Sequence, residues 1–317
     1  AVVLAVTALP MGVFAAKKDS TEEKLTKVTL NEVAHSIFYA PQYVAIEEGY
    51  FAEKGLDLTL VTGFGADKTM TAVISGEADI GFMGAEASVY AYQEGATDPV
   101  VNFAQLTQRA GNFLVAREEM PDFKWEDLKG EKVLGGRKGG MPEMVFEYIL
   151  KKNGIDPQKD LTIDQSIDFG STAAAFTSDD SAAYTVEFEP SATILEKEGA
   201  GYVVASLGEA SGYVPYTSYS TKASYMKENP EIIQKFTDAL QKGMDYVQNH
   251  TPEEIAEVIA PQFKETDLET ITAIVKRYYD QDTWKENLIF EKDSFELLQD
   301  ILEDAGELTD RTAYENL

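Results

Sequence analysis

From Lys27 onward, short apolar runs with strand character alternate with segments whose apolar residues follow the spacing of a helix. A strand that leads through a helix to the next strand is typical of an α/β protein with parallel sheets and crossover helices. The sequence therefore predicts an α/β fold. We expect strands at residues 28–31, 56–60, 80–83, 100–106, 113–116, 132–134, 184–187, 203–206 and 216–219.

The length of the chain predicts two lobes. Its 317 residues are more than one hydrophobic core usually serves. The last third reads as helical, because Phe236, Leu240 and Met244 follow the spacing of one helix face. Thr251 and Thr266 are each followed by Glu three positions later, and this pattern predicts two capping boxes.

Charge and cysteine content exclude several classes of function. The chain has 27 basic and 55 acidic residues, a formal net charge of −28, which repels nucleic acid. It has no cysteine, and this excludes disulfides, thiolate metal sites and cysteine nucleophiles.

The first residues predict the compartment. Residues 1–16 form an apolar run that ends in small residues, and a polar stretch follows. The run is shorter than the roughly twenty residues of a membrane span but suits the apolar part of a signal peptide. We therefore predict a signal-peptide remnant and linker at 1–24, and an exported protein of the cell surface or periplasm. A frayed amphipathic tail is the alternative.

Residues 36–61 read SIFYAPQYVAIEEGYFAEKGLDLTLV. They predict a loop, a helix that Pro41 opens and Gly49 ends, and then a strand. The segment resembles the opening of the solute-binding proteins that feed ABC importers, in the branch that captures sulfonates, nitrate, taurine and the pyrimidine precursor of thiamine. The resemblance covers about residues 28–262.

This resemblance implies a two-lobed periplasmic-binding-protein fold of type II, with a ligand cleft between the lobes and a helical C-terminal region. We place lobe 1 at 25–108 and 217–317, and lobe 2 at 109–216. The resemblance implies a monomeric binder and not an enzyme, with a small-molecule ligand and a membrane permease as partners. It implies no cofactor, no metal and no nucleic acid. Members from Gram-positive bacteria usually carry a lipid-modified cysteine after the apolar run, whereas Lys17 follows it here.

The sharpest local motif is the loop GGRKGGMP at 135–142, between a predicted strand and a predicted helix. The backbone N–H groups of Gly139, Gly140 and Met141 would point into a cleft at the positive end of that helix. Arg137 and Lys138 lie beside them. The spacing matches neither a P-loop nor a dinucleotide fingerprint. In the family the matching loop grips the ligand, and a tight turn without such a role is the alternative.

Met83, Gly84 and Glu86 form the counterpart in the first lobe, where a strand again runs into a helix. Glu86 would accept a hydrogen bond from an N–H of the ligand, or would only complement the helix dipole. His35 and Tyr39, in the opening segment, would hydrogen-bond or stack on the ligand. A surface histidine is the alternative for His35, since one histidine is weak evidence for a metal site.

Two further junctions contribute to the predicted cleft. Phe188 and Glu189 stand where the family often has Trp-Glu-Pro, so Phe188 would stack on the ligand or pack in the core. Phe169, Ser171 and Thr172 lie at a loop-to-helix junction, where Ser or Thr would cap the helix, bind the ligand, or do both.

The ligand class is left between two alternatives. Glu86 and Glu189, together with the aromatic residues, suit a neutral or cationic nitrogenous ring, such as the thiamine-pyrimidine precursor or a related heterocycle. Arg137 and Lys138 instead suit a sulfonate or another anion. We favour the heterocycle.

Enzymes on the same fold are a further alternative. Fungal pyrimidine synthases resemble this chain, but they need a cysteine-rich motif that it lacks. We find no Gly-x-Ser-x-Gly elbow and no His-Glu-x-x-His motif of a hydrolase, and we name no catalytic residue.

Overall fold

Ten strands form two five-stranded sheets in the computed structural model, which describes residues 24–168 and 170–317. The predicted signal-peptide remnant lies outside the described residues, as does Phe169. The strands are β1 (Thr26–Glu32), β2 (Leu56–Thr62), β3 (Ile80–Gly84), β4 (Val100–Thr107), β5 (Phe113–Ala116), β6 (Lys132–Leu134), β7 (Thr162–Asp164), β8 (Tyr184–Glu187), β9 (Tyr202–Ser206) and β10 (Thr217–Lys222).

Both sheets are mixed, which corrects the expectation of parallel sheets. The first has the order β2-β1-β3-β10-β4, and β10 runs antiparallel to both of its neighbours. The second has the order β7-β6-β8-β5-β9, and β5 runs antiparallel to β8 and β9. The cause is the path of the chain, which passes between the sheets before β5 and before β10. Those two strands therefore enter their sheets from the other sheet and not through a crossover helix.

Helices cover the sheets and make up most of the C-terminal third. They are α1 (Ala40–Glu47), α2 (Tyr50–Glu53), α3 (Ala66–Ser75), α4 (Glu86–Gln93), α5 (Met141–Lys152), α6 (Thr172–Ser178), α7 (Ser191–Lys197), α8 (Leu207–Ser211), α9 (Ala223–Glu228), α10 (Pro230–Asn249), α11 (Pro252–Ile259), α12 (Leu268–Asp280) and α13 (Lys292–Asp304). Within the described ranges, no helix is long and apolar enough to cross a membrane.

Local signals placed most helix ends correctly. Pro41 lies in the first turn of α1, and Gly49 follows it in the left-handed region with φ of 73°. The capping box at Thr251 is confirmed, since its side chain and that of Glu254 bond reciprocally to the backbone. The box predicted at Thr266 is wrong by one residue, because the neighbouring Asp267 carboxylate caps α12 instead.

Helices α12 and α13, together with the chain before α13, contact elements of both sheets. Arg277 of α12 bonds Glu189 and Glu196, which flank and form α7 beside the second sheet. Helix α13 packs against α5, while the chain just before it bonds β4 through the backbone of Leu288. The division of the chain into lobes at 109 and 216 stays a prediction.

Candidate functional site

Two strand-to-helix junctions, one from each sheet, contact each other. The first joins β3 to α4, and the second joins β6 to α5 through the glycine loop. The Glu86 carboxylate accepts a hydrogen bond from the backbone N–H of Met141. The Tyr90 hydroxyl of α4 donates to the carbonyl of Gly139 at 3.1 Å. The structure thus brings together the two motifs that the sequence singled out.

Glu86 is the most unusual polar group at this meeting point. Its side chain is buried, and this burial raises the pKa of its carboxyl to about 7. Hydrogen bonds from the backbone N–H groups of Glu86 and Met141 lower the pKa, but by less than burial raises it. Among the described residues its Oε2 atom has no hydrogen-bond partner. A Cβ atom at Gly84 would lie 2.1 Å from Oε2, so glycine leaves room for the carboxylate there.

The charge of Glu86 acts on two buried tyrosines, Tyr39 and Tyr216. The Tyr39 hydroxyl bonds Thr217, and burial and then the negative charges of Glu32 and Glu86 raise its pKa. The Tyr216 hydroxyl donates to Oδ1 of Asn112 at 2.7 Å, and burial and nearby groups that include Glu86 raise its pKa as well. Burial disfavours the tyrosinate, so both hydroxyls stay neutral hydrogen-bonding groups.

Phe188 lies next to one of these tyrosines, Tyr216. Its ring centre is 5.7 Å from that of Phe38 in lobe 1 and 6.2 Å from that of Tyr216. The side chain is half-buried, in contact with the core. Its position fits both readings that the sequence left open, a stacking surface and a packing residue.

Glu187, which the sequence analysis did not select, is a second buried carboxyl. Burial raises its pKa to about 7, while hydrogen bonds from Thr185 and Thr172 lower it. The Thr185 hydroxyl lies 2.6 Å from Oε1. Thr172, the first residue of α6, bonds the Glu187 carboxyl through its side chain. The neighbouring Ser171 is exposed and does not cap α6 through its side chain. The sequence did hold one signal for Glu187: it lies two residues after Thr185 on a predicted strand, so both side chains point to the same face of the sheet.

Two predicted residues of the first lobe have structural partners. His35 bonds Oε1 of the buried Glu32 at 2.7 Å and the carbonyl of Gln262 at 2.9 Å. Met83 packs against Met70 and neighbours in a separate apolar cluster. Successive strand residues point to opposite faces, so Met83 lies on the face away from Phe82. The structure does not bring either side chain to Glu86.

Glu189 is also held by structural partners. Its Oε2 accepts the backbone N–H of Thr193 at 2.9 Å, and its Oε1 accepts Arg277 at 2.6 Å. Burial raises the pKa of Glu189, whereas Arg277 and Thr193 lower it. Its carboxylate therefore ties α7 to α12.

The two cations of the glycine loop lie at the surface. Arg137 pairs with Asp67 of α3 at 3.0 Å, and 58% of its side chain is exposed. Lys138 pairs with Glu307 at 3.6 Å, and 67% of its side chain is exposed. The Arg137 pair joins the glycine loop to α3 at the surface of the protein. Across residues 24–168 and 170–317, no three His, Asp or Glu side chains are grouped to hold a metal ion.

Sequence comparison gives the family. Residues 37–255 match the family described as NMT1/THI5 like. YtlA of Bacillus subtilis, named as a binding protein, is 47% identical over 304 residues, which cover 96% of this chain and 91% of that protein. The riboflavin-binding protein RibY of Chloroflexus aurantiacus is 25% identical over 236 residues, covering 73% of this chain and 65% of its own length.

A more distant relative is an enzyme by name. The 4-amino-5-hydroxymethyl-2-methylpyrimidine phosphate synthase THI11 of Saccharomyces cerevisiae is 24% identical over 225 residues, covering 66% of this chain and 63% of its own length.

Structural comparison gives the fold. The alkanesulfonate-binding protein SsuA of Xanthomonas axonopodis pv. citri superposes with a TM-score of 0.73 at 15% identity, covering 92% of this chain and 98% of SsuA. At that identity the likeness concerns the fold alone. Together with the family match over residues 37–255, these comparisons show that the chain belongs to the NMT1/THI5-like family and has the fold of the periplasmic solute-binding proteins.

Proposed function

We propose that this protein captures a small nitrogenous aromatic ligand in the cleft at Glu86, outside the cytoplasm, and presents it to the permease of an ABC importer. The ligand class is the thiamine-pyrimidine precursor or a related heterocycle. The fold supports the binding role, and the names of RibY and THI11 support a heterocycle.

The observation that carries the proposal is the Oε2 atom of Glu86. It is a buried acceptor that no residue in the described part of the chain satisfies. A buried polar atom without a partner costs free energy, which a ligand N–H would recover. The buried Tyr39 and Tyr216, on which the charge of Glu86 acts, add aromatic side chains to this region, as small-molecule sites commonly have.

Charge distribution argues against an anionic ligand. At a pH above the Glu86 pKa of about 7, a sulfonate beside Glu86 would place two negative groups in a buried space, which is unfavourable. The cations that would compensate, Arg137 and Lys138, are exposed and already paired with Asp67 and Glu307.

Thermal denaturation with added ligands tests the proposal. A ligand that binds the folded state raises the melting temperature with its concentration. We expect 4-amino-5-hydroxymethyl-2-methylpyrimidine or riboflavin to do so, and taurine and nitrate not to. If only the anions raise the melting temperature, the anion alternative replaces the heterocycle. Chromatography of the same incubations over time distinguishes binding from turnover, since a growing product peak would identify an enzyme.

A further inference from the structure

Asn112 is a buried amide with one half of its hydrogen-bonding capacity unused. Only 1% of the residue is exposed, at the point where the chain enters β5. Its Oδ1 accepts the Tyr216 hydroxyl at 2.7 Å. Its Nδ2, which carries two N–H donors, has no partner in residues 24–168 and 170–317.

The Tyr216 hydroxyl holds the side chain of this amide. With Oδ1 occupied by that hydroxyl, Nδ2 is the free end of the side chain. The backbone is held too, because the Asn112 carbonyl accepts the N–H of Leu207 at 3.0 Å. The donor is thus positioned from both sides and needs no rearrangement to meet a ligand.

Asn112 and Glu86 belong to the same region of the cleft. In the pairing of β10 with β3, Thr217 lies opposite Gly84. Tyr216 precedes Thr217 by one residue, and Glu86 follows Gly84 by two. The charge of Glu86 also acts on the Tyr216 hydroxyl, which is the group that bonds Asn112. Two buried, unsatisfied atoms of opposite polarity, Glu86 Oε2 and Asn112 Nδ2, therefore both lie near the start of β10.

We infer that Asn112 is a specificity-determining residue, whose Nδ2 donates to an acceptor of the ligand while Glu86 Oε2 accepts from a donor of the same ligand. This inference rests on the proposed function. It narrows the ligand class to heterocycles that carry a donor and an acceptor, such as an amino group next to a ring nitrogen or an N–H next to a carbonyl. A sulfonate offers acceptors only and leaves Glu86 unsatisfied.

Titration calorimetry with 4-amino-5-hydroxymethyl-2-methylpyrimidine, and in parallel with riboflavin, tests the pairing. Asn112→Asp replaces the donor by an acceptor of the same shape, and we expect the Kd of the probe that binds wild type to rise about tenfold or more. Asn153→Asp makes the same exchange at the exposed C-terminal end of α5 and should leave the Kd unchanged.

A second variant guards against a folding defect. In Asn112→Leu/Tyr216→Phe both partners of the hydrogen bond become apolar, so the variant leaves neither partner of that bond unpaired. We expect it to keep the melting temperature of the protein without ligand within a few degrees, and to bind at least about tenfold more weakly than Tyr216→Phe alone.

Three outcomes overturn the inference, and they separate it from the proposed function. If wild type binds a probe and Asn112→Asp binds it equally well, the inference is wrong and the function stands. If the double variant unfolds readily while Asn112→Asp keeps full affinity, Asn112 is a packing residue. If neither probe binds wild type at millimolar concentration, the proposed ligand class fails, and the inference fails with it.

Discussion

The carboxylate of Glu86, at the start of α4, accepts the backbone N–H of Met141, at the start of α5. One acid next to the first sheet is therefore bonded directly to the end of the glycine loop next to the second sheet. A ligand that donates to Oε2 would engage the same carboxylate that joins these two parts of the protein. We therefore expect ligand binding to act on this contact through Glu86.

At about pH 8, above the Glu86 pKa of about 7, Glu86→Gln should weaken binding of the pyrimidine by about 1.5–3 kcal/mol, because a charged acceptor is replaced by a neutral amide. The melting temperature without ligand should stay the same or rise, since the variant removes a desolvated carboxyl. Calorimetry and thermal denaturation of the same samples measure both. A lower melting temperature with unchanged affinity would make Glu86 a structural residue.

The pKa of Glu86 predicts a pH dependence of stability. The carboxyl titrates at its ordinary 4.5 in the unfolded chain and at about 7 in the folded protein. The folded state holds this proton more tightly, so the contribution is fully present below pH 4.5 and is lost as pH rises through about 7.

Urea denaturation between pH 4.5 and 7.5 should therefore show wild type losing stability relative to Glu86→Gln as pH rises. The difference should be on the order of 1–3 kcal/mol, since each unit of pKa corresponds to about 1.4 kcal/mol. Glu187, which shares the direction of the shift, is present in both proteins and does not enter the difference. Parallel profiles would mean that the Glu86 carboxyl is solvated.

Arg137→Ala and Lys138→Ala should change the affinity for the pyrimidine by about twofold or less, and the stability by less than about 1 kcal/mol, because exposed ion pairs contribute little. Calorimetry and urea denaturation measure the two effects. A tenfold loss of affinity in either variant would favour an anionic ligand held by the glycine loop.

Glu189→Ala should destabilise the protein by about 2–4 kcal/mol, since it leaves Arg277 without its buried partner and α7 without the acceptor for the Thr193 N–H. The Kd of the pyrimidine should stay near that of wild type at a temperature where the variant is folded. Glu196→Ala, which removes the less buried partner of Arg277 and the acceptor for the Val203 N–H, is the matched control and should cost less. If Glu189→Ala keeps its stability but no longer binds the pyrimidine, Glu189 belongs to the ligand site.

The fold was largely predictable because its signals are local. Apolar periodicity located all the long strands, and Pro41 and Gly49 marked the ends of a helix. Strand β7 was missed because Ile163 is the one apolar residue among its three. The antiparallel placement of β5 and β10 depends on which sheet the chain returns to, and no local pattern records that.

The site was predictable only in part, for the same reason. The two glycine-containing junctions were identified locally, and Glu86 meets Met141 there. His35 bonds Gln262, which lies 227 residues away along the chain, and Glu189 bonds Arg277, which lies 88 residues away. Asn112 gave no signal in the sequence, because its significance depends on a hydrogen bond with the distant Tyr216.

The most direct test of the binding site is a crystal structure of the protein with 4-amino-5-hydroxymethyl-2-methylpyrimidine at saturating concentration. The account predicts electron density for the pyrimidine between Glu86 and Tyr216, with a nitrogen donor of the ligand at hydrogen-bonding distance, about 2.7–3.2 Å, from Glu86 Oε2. Density for the ligand only beside Arg137 and Lys138, or an empty cleft at that concentration, would contradict it.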